Sequence, residues 1–296
     1  KAQTAASAEA FREAFVLLSA EIARHYITYR SLQQQALLLE SNLKLLKENT
    51  WLAEHRITNG LASKDEADQI QAQYESTASD LRSIESELNT TRHRLEELIG
   101  KKPNALSVRL SAPGEIPQSQ ERRLLTLPAD TLRLRPDIRA AEFQLQSATA
   151  TQGAALAELF PKISIAAFLG LRNSDLENLF RSSSFAWASA ASVSQPIFNF
   201  GQIRAGINLA EARQQEAFLQ YEKTVLEALH ETEISLAEFL KEERRLDHLK
   251  RSVAHLEASR QMAGVRFNNG LETRQDLLTQ EINVNRERIR LIQSTA

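Results

Sequence analysis

An apolar pattern beginning at Phe11 leaves this chain few ways to fold. Steps of four and three residues in turn meet Phe15, Leu18, Ile22, His25, Tyr29, Leu32, Ala36, Leu39, Leu43, Leu46, Thr50, Ala53 and Ile57, and only His25 and Thr50 fall outside the apolar set. A strand repeats every second residue, so a sustained four-three step belongs to a helix that lies along a partner helix. The pattern predicts one helix of roughly 47 residues, about 70 Å long at 1.5 Å per residue. Thr58-Asn59-Gly60 ends it, because Asn and Gly accept the left-handed conformation that closes a helix. Ser63 then fits an N-cap, with Glu66 three residues on to complete a capping box. The next helix keeps the step through Ile70, Tyr74, Thr77, Leu81, Ile84, Leu88, Thr91, Leu95 and Leu98. Residues 1–99 therefore contain a long antiparallel helical hairpin, starting at about residue 11.

Beyond it the pattern changes four times. Pro103, Pro113, Gly114 and Pro117 mark 100–127 as an irregular connector. Helix resumes over 128–159, with Pro136 suited to a first turn and Ala140, Phe143 and Ala148 following. Residues 160–200 read as a strand hairpin. Ile163, Ile165, Ala167, Leu169 and Leu171 alternate with smaller or more polar residues, and Asn173-Ser174-Asp175 and Arg181-Ser182-Ser183-Ser184 bracket a polar loop. A small-residue run from Phe185-Ala186-Trp187 to Val193-Ser194-Gln195-Pro196-Ile197-Phe198 then returns. Two strands alone are no stable sheet, so the hairpin calls for strands from upstream sequence or from other copies of the chain. Residues 201–296 are again helical. A helix over 202–267 shows a seven-residue recurrence at Phe218, Val225, Thr232, Phe239, Leu246 and Val253, and Asn268-Asn269-Gly270 ends it. A last helix carries Leu271, Leu278, Ile282, Ile289 and Ile292.

The two helical hairpins are copies. Arg56-Ile57-Thr58-Asn59-Gly60-Leu61-Ala62-Ser63-Lys64 matches Arg266-Phe267-Asn268-Asn269-Gly270-Leu271-Glu272-Thr273-Arg274 at a constant offset of 210 residues (266 minus 56). Leu39/Leu249, Leu43/Val253 and Leu46/Leu256 keep that offset. The same offset would place a first strand hairpin roughly 50 residues before Lys1, so an upstream hairpin and a signal sequence are expected.

Three motifs in order then carry a resemblance. Leu127-Pro128-Ala129-Asp130-Thr131-Leu132-Arg133-Leu134-Arg135-Pro136-Asp137-Ile138-Arg139-Ala140-Ala141-Glu142 resembles the L-P-x-D-x-L-x-x-R-P-D-I-x-x-A-E signature of TolC-like outer-membrane efflux factors, the OprM/NodT branch. Leu159-Phe160-Pro161-Lys162-Ile163-Ser164-Ile165 is similar to that family's lead-in to its third strand. Gln195-Pro196-Ile197-Phe198-Asn199-Phe200-Gly201-Gln202-Ile203-Arg204-Ala205 is similar to the exit from its fourth. The resemblance implies a mainly α fold with a β-hairpin, in which long helical hairpins form a trimeric α-barrel tunnel below a shared twelve-stranded outer-membrane β-barrel. It implies a homotrimer set in outer-membrane lipid and extending into the periplasm, docked by a periplasmic adaptor protein and an inner-membrane pump. Such a protein is a passive export conduit for small molecules such as drugs, metals or metabolites.

The resemblance also assigns residues. The adaptor-docking tips fall on Asn59, Gly60, Leu61 and Ser63 and on Asn269, Gly270, Leu271 and Thr273, with Asn where the family usually has an apolar residue. An acidic gate residue of the family aligns with Thr279, and Asp276, one turn earlier, is the nearest substitute. Phe168, Phe185, Trp187 and Phe198 are expected at the membrane interfaces. Only the third and fourth strands of the family pattern are present.

The residues themselves argue against other classes. Lys and Arg total 36 against 38 Asp and Glu, which points to no nucleic-acid partner. With no Cys, thiolate metal sites and cysteine nucleophiles are excluded. The six His show no H-E-x-x-H spacing, and His248 and His255 stand seven apart, which suits a solvated face. No nucleophile elbow, phosphate-binding Gly loop or carboxylate pair is present, so neither an enzyme nor a cofactor is expected. Arg135-Pro136-Asp137 reads as a helix start, with Asp137 at the positive end. Two alternatives stand beside the conduit: a soluble coiled-coil scaffold or adaptor without a pore, and, within the class, a protein-secretion channel.

Overall fold

The computed structural model describes residues 1–61, 63–117, 132–172, 174, 180 and 185–296. The expected motif residues Leu127–Thr131, the connector from 118, and loop residues Asn173, Asp175 and 181–184 lie outside that set. Among the described residues five helices and two strands follow in order: α1 (Ala2–Thr58), α2 (Lys64–Leu98), α3 (Pro136–Ala157), β1 (Lys162–Leu171), β2 (Phe185–Ser194), α4 (Gln202–Asn268) and α5 (Arg274–Thr295). The chain is thus mainly helical with one small sheet. No helix among the described residues is long and apolar enough to cross a membrane.

Two compact units divide it. One comprises Ala14–Thr126 with Glu231–Ala296. Its packing begins on α1, where Leu32, Leu39, Leu46 and Ala53 recur every seventh residue and are buried. The second buried column differs from the sequence expectation. Ala36, Leu43 and Thr50 are only half-buried, and Gln35, Asn42 and Asn49 take the inner place. Leu46 and Ala53 join Ile70 of α2 and Ile282 of α5 in one buried cluster, against which Tyr74 packs. A second cluster unites Tyr29, Leu95 and Leu110. The α1 face narrows above it, since Phe15 and Leu18 of the expected seam are exposed. On α4, Val253 is buried but Phe239 is exposed, so that seven-residue column does not mark an inward face either.

The described part of the connector, 100–117, is firmly strapped. Buried Glu96 accepts the backbone N–H groups of Asn104 and Leu106, each at 2.9 Å. The α1 side chains Gln33 (2.7 Å) and Arg30 (2.8 Å) donate to the carbonyls of Leu110 and Ala112. These bonds satisfy backbone groups that have no helix or sheet to pair with. Arg30 lies so close to Gly114 that a Cβ there would sit 2.9 Å from its guanidinium carbon.

The other unit comprises Lys1–Glu13 with Leu127–His230. Pro136 opens α3 at the first position, where its missing N–H costs nothing. Asp137 lies in the first turn and binds Arg135 at 2.8 Å, a local brace. Ile138, Ala140 and Ala141 of α3, Ala6 of α1 and Ala210 of α4 are buried, so small side chains let the helices approach. Buried Glu9 is held by Arg12 and Arg139 at 2.8 and 3.2 Å. Phe11 is exposed, again against the expected seam.

Beyond α3, β1 and β2 pair antiparallel from Lys162↔Ser194 to Leu171↔Phe185. The second strand ends at Ser194, earlier than the sequence suggested, and Gln195 turns back to donate to the Leu159 carbonyl at 3.2 Å.

Candidate functional site

The two helix-turn tips have the same backbone. Gly60 donates to the Ile57 carbonyl (2.9 Å) and Leu61 to that of Arg56 (2.8 Å). Gly270 and Leu271 repeat both bonds, to Phe267 and Arg266, each at 2.9 Å. This double bond pattern is the Schellman closure, which needs a left-handed residue after the helix, and the glycines stand at φ +69° and +71°. Asn59 and Asn269 cap in parallel too, their amide nitrogens donating one turn back to His55 and Val265, both at 2.8 Å. Asn at these positions thus serves the turn itself. Leu61 and Leu271, the residues after each glycine, are 70% and 75% exposed and form the apolar points of the tips.

The side chains around the turns are wired differently. Thr273 caps α5 with a complete capping box: its hydroxyl accepts the Asp276 N–H, and the Asp276 carboxylate accepts the Thr273 N–H at 3.1 Å and its hydroxyl at 2.6 Å. Those hydroxyl and amide donors, with the positive charge of Arg56 nearby, hold the Asp276 carboxyl below the ordinary aspartate range. At the first tip Ser63 accepts the Glu66 N–H at 3.3 Å, but the expected return bond is replaced. The Glu66 carboxylate instead meets Arg56 at 3.2 Å and the Gln275 amide at 2.6 Å, while Arg56 also bonds Gln275.

The reason lies in one repeat position. Arg266 pairs with Glu272 inside its own turn at 2.8 Å, whereas the residue matching Glu272 in the first tip is Ala62. Arg56 therefore reaches out to α5. A second bridge, Glu48–Arg274 at 2.8 Å, joins the same two helices and lowers the Glu48 carboxyl below its usual range through the Arg274 hydrogen bond. Sequence reasoning did not find Arg56, Glu66, Gln275, Glu48 or Arg274. The signal available to it was the Ala62/Glu272 mismatch in an otherwise matching repeat.

Asp276 and Thr279 are both exposed on the first turns of α5. The Thr279 hydroxyl donates back to the Gln275 carbonyl at 2.9 Å, so it offers an oxygen but no charge. No group of three or more His, Asp or Glu suited to a metal occurs among the described residues.

Pairing of β1 with β2 sorts the hairpin into two faces. Because cross-strand partners share a face and neighbours along a strand alternate, Ile163, Ile165, Leu169 and Leu171 stand with Phe185, Trp187 and Val193 on one side. The other side carries Ser164, Ala166 and Gly170 beside Ala186, Ala188, Ala190, Ser192 and Ser194. Phe185 and Trp187 thus belong to the large apolar face. Phe168 belongs to the small one, its ring lying over Gly170, where a Cβ would come within 2.9 Å. Phe198 follows the strand and meets Phe200 edge-on at 4.6 Å, just before Gly201 takes φ +82°. The four aromatics therefore occupy three settings. Ile165, Leu169 and Trp187 are each more than 70% exposed, so this apolar face has no cover within the described residues.

The sequence profile of the family described as "Outer membrane efflux protein" matches residues 127–296. The chain is 33% identical over 278 residues to the solvent efflux pump outer membrane protein SrpC of Pseudomonas putida, a match covering 90% of this chain and 57% of that one. It is 29% identical over 285 residues to the cation efflux system protein CusC of Escherichia coli K12, covering 93% and 60%. The chain thus spans under two thirds of the length of these relatives. Among solved structures, the outer-membrane channel OprN superposes with a TM-score of 0.80 at 30% identity, covering 99% of this chain and 67% of that one.

Proposed function

Since this chain belongs to the outer membrane efflux protein family, we propose that it is part of a channel subunit of a tripartite efflux system. The observation that carries the reading is the two-faced hairpin. Large apolar side chains at seven positions of one face, and Ser, Ala and Gly at all positions but Lys162 and Phe168 of the other, approach the division a barrel wall needs between lipid and a watery lumen. Each strand has one neighbour among the described residues. In lipid every backbone group must be paired, so the hairpin needs strands on both sides and takes them from further strands of the same kind in a homotrimer.

The helical hairpins would extend into the periplasm, with tips at Asn59-Gly60-Leu61 and Asn269-Gly270-Leu271 as the docking points of a periplasmic adaptor. Leu61 and Leu271 supply the apolar contact, and the rigid Schellman turns hold them out at little entropic cost. The adaptor would couple the conduit to an inner-membrane pump that supplies the energy. Asp276 and Thr279 lie one to two turns above the second tip and are the candidate gate positions. The similarity to solvent and cation efflux proteins favours small-molecule cargo over secreted protein.

The test is the oligomeric mass of the natural protein extracted from outer membranes, measured in detergent by native mass spectrometry. Three protomers with bound detergent, and conductance steps in a planar bilayer, are expected. A monomer that stays dispersed in plain buffer would overturn the channel reading and favour a pore-free helical scaffold.

A further inference from the structure

Three carboxamides stand one heptad apart on the buried face of α1: Gln35, Asn42 and Asn49, at 5, 5 and 4% exposure. They alternate with Leu32, Leu39, Leu46 and Ala53, so one inner column is apolar and the other is amide throughout. Two of the three are answered from α5. Gln293 donates to the Gln35 carbonyl oxygen, and Asn285 to that of Asn42, both at 2.9 Å. The third is not. Asn49 Oδ1 is buried with no hydrogen-bond partner among the described residues. The α5 residue one heptad back from Asn285 is fully buried Leu278.

Amides in such a seam sacrifice stability relative to Leu or Ile and give in exchange discrimination between partners and registers. Duplication creates a need for that. α4 is the repeat copy of α1 and α2 that of α5, so the chain holds two similar first helices and two similar second helices. At the repeat positions of the three amides α4 carries Arg245, Ser252 and Ser259, and at those of Asn285 and Gln293 α2 carries Glu75 and Ser83. At these repeat positions amide meets amide in the α1–α5 pair and not in the copies.

We infer that this ladder is a pairing code: it directs α5 to α1 and bars the slide that would carry Asn285 toward Gln35. The slide of one heptad that brings Asn285 to Gln35 keeps a single rung and leaves Asn42 and Asn49 with no amide opposite, whereas the opposite slide sets Asn285 against Asn49 and Gln293 against Asn42, so the ladder guards one direction. The Glu48–Arg274 bridge spans the same helices but is about two-fifths exposed at both ends, where ion pairs hold weakly. The ladder therefore carries the choice. The inference stands apart from the transport reading.

The experiment uses the full chain, which has no cysteine of its own, refolded from denaturant into detergent. Leu46→Cys with Ile282→Cys reports the observed seam, since both belong to one buried cluster. Leu39→Cys with Ile282→Cys reports the slide that brings Asn285 to Gln35, a displacement of about 10 Å that separates it from native disulfide geometry. Each pair is oxidised in the parent and in Asn42→Leu/Asn285→Leu, alone and combined with Gln35→Leu/Gln293→Leu. The shifted disulfide is expected to rise at least about tenfold relative to the native one when the rungs are removed, with Tm unchanged or higher. An unchanged ratio at parental helix content overturns the inference. Asn42→Leu alone strands Asn285 and should lower Tm. If the paired Leu variant falls as far as the single one, the rung is an ordinary stabilising contact and the code reading fails.

Discussion

Gly60 and Gly270 have nothing within 4 Å of where a Cβ would stand, so space does not exclude a side chain at either tip. Their left-handed backbone does. Gly60→Ala should destabilise the first hairpin by about 1–2 kcal/mol, and Gly60→Asn by less, because Asn tolerates that conformation. Thermal melts of the two variants against the parent check this. Glu96 works differently. Burial pushes its carboxyl up, but the Leu106 and Asn104 N–H groups and His93 pull it down further, and the balance lies below the ordinary glutamate range. A carboxyl depressed on folding stabilises the fold above its unfolded pKa, and that contribution is lost as pH falls through the folded one. The connector should therefore loosen as pH falls below the ordinary glutamate range. Amide exchange at Asn104 and Leu106 should accelerate in that range, beyond its intrinsic pH dependence, and Glu96→Gln should abolish the step.

At the scale of elements, the strand hairpin is where the linear pattern was hardest to interpret. Phe185 to Ser194 looks like a run of small residues because Phe185, Trp187 and Val193 are too sparse to show a period. Only pairing with β1 places them beside Leu171, Leu169 and Ile163. Two adjacent substitutions exploit the division. On the proposed barrel reading, Ile165→Arg puts a charge on the lipid side near mid-strand and should cost about 2–4 kcal/mol of membrane stability, seen as loss of the proposed trimer from outer membranes. Ala166→Arg, on the small face, should leave assembly intact and alter ion selectivity in single-channel recordings. On α1 the four-three step gave the helix and its leucine column but missed the amide column. Hydrophobicity assigns Ala36, Leu43 and Thr50 to the seam. Gln35 and Asn42 go inward instead, because their hydrogen-bond partners lie about 250 residues further on, at Gln293 and Asn285.

Across the whole molecule, what the sequence made plain was what repeats: the offset of 210 residues, the two glycine turns and the motifs flanking the strands. What stayed hidden was what differs between the copies. With Ala62 where the other copy has Glu272, Arg56 bonds Gln275 of α5 as well as Glu66 and the Leu61 carbonyl of its own tip, a contact across helices that no local pattern encodes. The sheet carries a consequence of another kind. A strand with an open edge is a template that any extended chain can extend, the right neighbour or a wrong one. In the proposed assembly a protomer is safest when its strands form last and in company. While single copies travel to their destination, success becomes a race between lawful partners and clumping, decided by local concentration and by whatever escorts the chain on the way.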